Sequence, residues 1–258
     1  MPALHGAVVL VTGANGGIGT HFVHDALARG ASKVYASARN PREWDDERIV
    51  PLELDVTDAA SVARAVELAR DTTVIVNNAG ILRPGRLVDG DVDALRAHLE
   101  TNVVGPLLVT SAFAPVLRRS HGAVVNVASI LSWLGGAGAY GVSKAALWSA
   151  TDSLRLELAE DGVQVVGAYL GYTDTAMTDG VDAPKNDPAD VVRAVWDGVA
   201  AGAHEVLADE LTRQVRATLG APIEARYPMR GGVTGRRARP DAARATRRRH
   251  PAEKPPEH

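Results

Sequence analysis

Ala7-Val-Val-Leu-Val-Thr12-Gly13-Ala-Asn15-Gly16-Gly17-Ile18-Gly19 is the stretch that decides the fold. Its first half is a short apolar run of the kind that forms a parallel strand buried on both faces. Its second half is glycine-rich and leads into a helical pattern through Phe22, Val23, Ala26 and Leu27. Strand, glycine turn and helix in that order are the context a dinucleotide fingerprint requires. Glycines let the backbone turn tightly and approach a pyrophosphate, which rests on the partly positive helix N-terminus. Gly13, Gly17 and Gly19 are spaced Gly-x-x-x-Gly-x-Gly, a variant of the usual Gly-x-Gly-x-x-Gly.

The next strand, Lys33-Val-Tyr-Ala-Ser-Ala38, bears on which nucleotide is bound. A carboxylate at its end would pair with the ribose 2′-hydroxyl of NAD. Ser37, Ala38 and Arg39 stand there instead. A guanidinium makes charge-assisted contacts with a phosphate, so the sequence predicts NADP(H), with NAD(H) as the alternative.

Further along, Tyr140 and Lys144 are four residues apart, with Ser129 upstream at the end of Ala123-Val-Val-Asn-Val-Ala-Ser129. On a helix that spacing stacks the two side chains on one face. A free phenol has a pKa near ~10. A cation about 4 Å away is worth roughly 4 kcal/mol at an effective dielectric of about 20, or about a thousandfold in acidity. The pair is therefore expected to bring Tyr140 toward the operating range of a general acid–base group.

Together these residues resemble the classical short-chain dehydrogenase/reductase family over roughly residues 6–220. Thr12-Gly13-Ala-Asn-Gly-Gly17-Ile-Gly19 is similar to that family's cofactor loop. Leu54-Asp55-Val56 resembles the segment that meets the adenine ring, and Asn77-Asn78-Ala79-Gly80 the turn that braces the sheet beside the cofactor. Asn102, Ser129, Tyr140 and Lys144 match the family's catalytic tetrad. The resemblance implies cofactor contacts from Gly13, Asn15, Gly16, Gly17, Ile18, Gly19, Arg39, Asp55, Val56, Asn78, Ala79, Gly80, Tyr140, Lys144, Gly171, Thr173 and Thr175. It implies hydride transfer between a nicotinamide and a carbonyl or secondary-alcohol carbon. Lys144 would hold the ribose, and Asn102 would position a water beside Lys144. Two features depart from the pattern. Ser129 and Tyr140 are two positions closer than usual, and Leu170-Gly171 stands where the family commonly has Pro-Gly. The first points to a reshaped pocket. The second frees the preceding backbone and points to a looser loop.

A chain of 258 residues with 46% apolar content is long enough for one α/β core. Apolar runs near 7–12, 33–38, 49–54, 73–77, 122–128, 163–169 and 204–207 alternate with helical patterns near 17–29, 58–70, 91–118, 139–160, 187–202 and 209–219. That alternation predicts a single-domain Rossmann fold: a doubly wound, mostly parallel seven-stranded sheet with helices on both faces. Asp58 and Asp187 (before Pro188) are expected N-caps. The catalytic domain is placed at 1–225 and a basic tail at 226–258, where ten Lys and Arg face three Asp and Glu. Such a tail cannot fold by itself.

The chain has no cysteine, so disulfides and thiolate metal sites are excluded, and its eight histidines show no ligand spacing. No membrane span and no cleavable leader is expected, which predicts a cytoplasmic protein. The tail lacks aromatic interleaving, so nucleic acid is not assigned as a partner. Ile81, Leu131, Trp133, Leu134, Leu170, Tyr172 and Met177 lie near pocket motifs and point to a small apolar or aromatic carbonyl or alcohol. A short lid is expected over residues 176–186. The resemblance also implies a homodimer or homotetramer. A catalytically silent NADP-sensing protein of the same fold, using the tail for a partner, is the competing reading.

Overall fold

The backbone mostly alternates strand and helix because apolar runs too short for a helix are separated by helical segments, several of them opened by a capping aspartate: Asp58, Asp91, Asp187 and Asp209. A computed structural model describes residues 4–227; the remainder of the Arg-rich tail lies outside the described residues. The strands are β1 (Val8–Thr12), β2 (Lys33–Ala38), β3 (Ile49–Glu53), β4 (Val74–Asn77), β5 (Ala123–Val127), β6 (Gln164–Tyr169) and β7 (Glu205–Leu207). Helices are α1 (Gly17–Ala28), α2 (Ala59–Leu68), α3 (Val92–Leu99), α4 (Gly105–Ser120), α5 (Gly138–Glu157), α6 (Pro188–Ala200), α7 (Glu210–Ala217) and α8 (Ile223–Arg226). The chain divides into Met1–Gly220 and Ala221–His258, and α8 belongs to the second unit.

All seven strands are parallel, in the order β3-β2-β1-β4-β5-β6-β7. The order reverses between β1 and β4, and a ligand crevice forms beyond the strand ends at such a switch point. Alternate residues serve opposite faces of the sheet. Val9 and Val11 pack with Phe22, Val195 and Trp196 beneath α1 and α6. Val8 and Leu10 pack with Val62, Phe113 and Leu117 beneath α2 and α4. The chain's two phenylalanines are thus divided between the faces, and Phe22 meets Trp196 edge-on at 5.4 Å. Asp58 caps α2 by accepting from the Ala60 N–H, and Asp187 caps α6 by accepting from Ala189 beside Pro188.

The helical pattern expected near 91–118 is present but not uniform. Between α3 and α4 the backbone widens into a π-helical turn at Glu100–Val104. Pro106 explains the break, since it lacks the N–H that would close an α-turn on the Asn102 carbonyl. Val92–Ser120 passes a test of length and composition for a membrane-crossing helix, as the core helix of a folded domain also can. Its apolar character has a cause inside the fold: Val109, Phe113, Val116 and Leu117 are buried against the sheet.

A buried polar ladder joins four elements. Asn77 Nδ2 donates to Thr110 Oγ1 at 3.1 Å and to Asn126 Oδ1 at 2.8 Å. Asn126 Nδ2 donates to Thr151 Oγ1 at 2.9 Å, and that hydroxyl donates to the Leu147 carbonyl at 2.7 Å. Truncation strands polar atoms from water, which costs more than the bond itself contributes. Asn77→Ala is expected to lower stability by about 2 kcal/mol in urea unfolding of the apo-protein; an unchanged midpoint would show that the ladder contributes nothing.

Candidate active site

The glycine turn takes its shape from two close approaches. Gly13 has φ +68° and lies so near Ala79 that a Cβ would stand 2.9 Å from the Ala79 Cα. At Gly19 a Cβ would collide with the Gly13 carbonyl. Asn78 locks the arrangement: its Nδ2 donates to the carbonyls of Thr12 at 2.9 Å and Gly13 at 3.1 Å. The Thr12 hydroxyl in turn accepts the N–H groups of Asn78 and Ala79, each at 3.0 Å. Thr12 therefore carries the brace between β1 and β4.

A cavity of about 520 Å³ opens beyond the strand ends. It is lined by Gly13, Gly16, Gly17 and Ile18 of the glycine turn, by Asn78, Ala79 and Gly80 after β4, by Ser129, Tyr140 and Lys144, and by Gly171, Thr173 and Thr175 after β6. Gly16 is the N-cap of α1 and offers no side-chain cap, so the first-turn N–H groups are left for another acceptor. Nothing lies within 4 Å of where a Gly16 Cβ would be. Bare N–H donors, a helix N-terminus and missing side chains fit a pyrophosphate, so the residues present suit a dinucleotide.

Arg39, Asp55 and Val56 stand outside this cavity, past β2 and β3. Arg39 is exposed, and its charge helps hold the Asp55 carboxyl below the usual range, after the larger effect of the Thr57 N–H and hydroxyl that Asp55 accepts. Val56 is buried beneath Gly105. Asn15 is also outside; it joins the glycine turn to the segment after β2 by donating to the Asn40 carbonyl at 2.7 Å. Gly19 lies behind the turn and acts through packing.

Tyr140 and Lys144 share one face of α5 and the same cavity, with Nζ 5.7 Å from the phenol ring centre. The expected acidification is absent. Burial pushes the phenol up to about 12, and a hydrogen bond from Ser129 opposes that only in part. Burial likewise pushes the Lys144 ammonium down to about 8. Lys144 is 5% exposed and donates to the Val127 carbonyl at 2.7 Å. Desolvation has outweighed the attraction that the spacing promised, because both groups are enclosed together. Ser129 is held by accepting from the Leu131 N–H at 3.1 Å. Ser132, the other nearby hydroxyl, is buried away from the cavity.

Asn102 sits inside the π-turn. Its Oδ1 accepts the Ile81 N–H at 2.8 Å, and its Nδ2 donates to the Ile81 carbonyl and to Ser143 Oγ, each at 3.0 Å. Ser143 donates to the Tyr140 carbonyl at 2.7 Å. The amide thus reaches α5 through Ser143 rather than beside Lys144. Sequence reading missed Ser143, and nothing but its position one residue before Lys144 marked it.

The loop after β6 is anchored where the sequence predicted looseness. Asp209, the N-cap of α7, accepts the Gly171 N–H at 2.7 Å and Asn186 Nδ2 at 3.1 Å on one oxygen. Both ends of residues 171–186 are pinned there, so a carboxylate does what ring closure at residue 170 would have done. Leu131, Leu134, Leu170, Tyr172 and Met177 line the cavity as expected. Ile81 and Trp133 do not; Trp133 instead stacks on Tyr169 at 4.4 Å. Leu82 and Leu211 take their places in the wall.

A parallel sheet with a glycine cradle at its switch point, facing a tyrosine and a buried lysine, defines a nucleotide-dependent oxidoreductase of the α/β class. The chain belongs to the short chain dehydrogenase family, whose model matches residues 7–186. It is 32% identical over 209 residues to the oxidoreductase UcpA of Salmonella typhimurium, covering 74% of this chain and 80% of that one. The structure is similar to a short chain dehydrogenase from Burkholderia cenocepacia in complex with NADP, with TM-score 0.82, 36% identity and coverage of 87% and 97%. A short chain dehydrogenase/reductase from Burkholderia phymatum in complex with NAD shares the fold, with TM-score 0.73, 21% identity and coverage of 84% and 94%. The chain is thus an oxidoreductase of the class that acts on CH–OH donors with a nicotinamide nucleotide.

The buried pair makes apo stability depend on pH. Lys144 releases its proton near 8 when folded but near 10.5 when unfolded. Between those values the unfolded chain binds more protons, so stability rises with pH, by about 3 kcal/mol in all from this group. Tyr140 acts oppositely: raised from 10.0 to about 12, it gives stability that is lost as pH climbs above 10. Urea unfolding of wild type and Lys144→Met between pH 7 and 10 should show the rise in wild type alone; parallel curves would refute the assignment of a desolvated ammonium.

Proposed function

We propose that this oxidoreductase uses NADP(H) to interconvert a small apolar or aromatic carbonyl compound and its secondary alcohol, with Tyr140 as general acid and base. The convergence of Tyr140, Ser129 and Lys144 on a cavity that the glycine cradle also lines carries this reading. Bound along that cradle, the coenzyme's nicotinamide would supply or accept the hydride. The residues of this chain do the rest. Ser129, already hydrogen-bonded to the Tyr140 phenol, orients the substrate oxygen and stabilises charge developing there. Tyr140 gives that oxygen a proton in reduction and removes one in oxidation. Lys144, with its ammonium at about 8, returns a proton to Tyr140 more readily than an ordinary lysine would.

The electrostatics favour reduction. A phenol at about 12 keeps its proton at neutral pH. It is nonetheless more acidic than an alcohol, whose hydroxyl resembles that of water, so donation to a forming alkoxide runs downhill. Oxidation needs the phenolate, which burial disfavours. The leucine-rich wall (Leu82, Leu131, Leu134, Leu170 and Leu211) supports an uncharged substrate. Val104 and Val142, partly exposed near Asn102 and Tyr140, are consistent with pairing of these helices in a homodimer or homotetramer.

Tyr140→Phe should lower kcat for reduction by about 10²–10⁴-fold while leaving NADPH affinity within a factor of about two; a folded variant with full turnover would end the assignment. Arg39, exposed just after β2, supports the NADP(H) reading because a guanidinium carries the charge that a 2′-phosphate pairs with. Arg39→Ala should raise KM for NADPH roughly ten- to hundredfold with little effect on NADH, measured as initial rates of absorbance loss. Equal changes with both coenzymes would remove the NADP(H) preference from the proposal.

A further inference from the structure

His98 is a fully buried side chain on α3 that the reaction above does not use. Its ring meets the Tyr140 ring edge-on, with centres 6.2 Å apart and planes at 76°. Both nitrogens are committed. Nδ1 lies 2.6 Å from the Ala94 carbonyl, which can only accept, so Nδ1 carries the proton. Nε2 is therefore free to accept, and it takes the Arg83 N–H at 3.0 Å. One neutral tautomer satisfies both contacts.

The Arg83 bond matters because of what lies beside it. Ile81 is tied by its N–H and its carbonyl to Asn102, and Arg83 is tied by its N–H to His98. Leu82, between these two fixed points, lines the cavity. Two residues further on, the Gly85 carbonyl rests on Gly138 (φ +57°), where no Cβ would fit. The segment after β4 is therefore held against α3 and the start of α5, at the place where the loop before Tyr140 is short.

We propose that His98 is a positioning residue for the carbonyl substrate: by accepting the Arg83 N–H it fixes Leu82 as a wall of the cavity beside Tyr140. An imidazole that only filled space would be replaceable by an isosteric leucine. One that holds the wall would be replaceable only by a side chain that keeps an acceptor at the reach of Nε2. The inference rests on the carbonyl-reductase reading for its kinetic consequence but not for its structural one.

The test uses the full chain with NADPH and a panel of apolar ketones, alongside amide hydrogen exchange of the peptide containing Leu82 and Arg83. His98→Leu is expected to raise KM for the ketones about tenfold, in keeping with the loss of one buried hydrogen bond. kcat should stay within about threefold and NADPH affinity, by fluorescence titration, within about twofold. Exchange at that peptide should quicken about tenfold. His98→Gln, which keeps an acceptor, should restore KM and exchange to within about threefold of wild type. Arg83→Pro, which withdraws the donated N–H, is compared with Arg83→Ala, which keeps it, and the proline variant should be about tenfold the worse in KM. Should His98→Leu not fold, the Arg83 pair decides on the same criteria. Wild-type KM and exchange in His98→Leu, or glutamine no better than leucine, would overturn the proposal. If the wild type reduces no ketone, the reductase reading fails, and exchange decides the clamp: faster in His98→Leu and Arg83→Pro than in their partners supports it, equal rates overturn it.

Discussion

The close crossing of two turns, one after β1 and one after β4, is the constraint on which the rest of the molecule depends. Parallel neighbours end at the same edge of the sheet, so their outgoing loops must share space there. Gly13 and Gly19 make that sharing feasible by having no side chain, and Asn78 makes it specific by donating to the Thr12 and Gly13 carbonyls. The turn that results presents uncapped N–H groups at the start of α1 toward the cavity. A side chain at Gly19 would move the whole wall, because the Gly13 carbonyl beneath it has nowhere to go.

The Tyr140 and Lys144 pair is governed by desolvation. Enclosing a phenol and an ammonium together moves each toward its neutral form, up to about 12 and down to about 8. This is what burial does when the partners are too far apart for attraction to compensate. The fold tolerates the cost by giving Lys144 the Val127 carbonyl at the end of β5. The same strand end holds Ser129. One strand therefore sets the position of both groups that meet Tyr140.

Several fixtures of the site lie in stretches that carry no motif. Asp209 replaces a missing proline ring as the anchor of the loop after β6, through a side chain 38 residues from the Gly171 N–H it accepts. Asn126 stands in an otherwise apolar strand, and only the tertiary structure joins it to Asn77 and Thr151 in the polar ladder. The π-turn at Glu100–Val104 had a cue in Pro106, yet a proline in the first turn of a helix is ordinary, and the wider turn is recognised only once both flanking helices are seen.

Strand positions, the parallel arrangement, the glycine turn and the spacing of Tyr140 and Lys144 were legible in the chain because each depends on residues within a few positions of one another. Periodicity of two or 3.6, missing side chains at glycine and capping at Asp58 and Asp187 are local physics. The electrostatics were not local. The expected acid phenol became one raised by burial, since the relevant quantity was the amount of protein around the pair, and that comes from elements distant in sequence, among them His98 of α3 against the phenol ring and Val127 of β5 against the ammonium. The same holds for the cavity wall, where Leu82 and Leu211 entered while Trp133 turned to stack on Tyr169. Which apolar residue faces a cleft and which faces the core depends on packing between elements far apart in sequence.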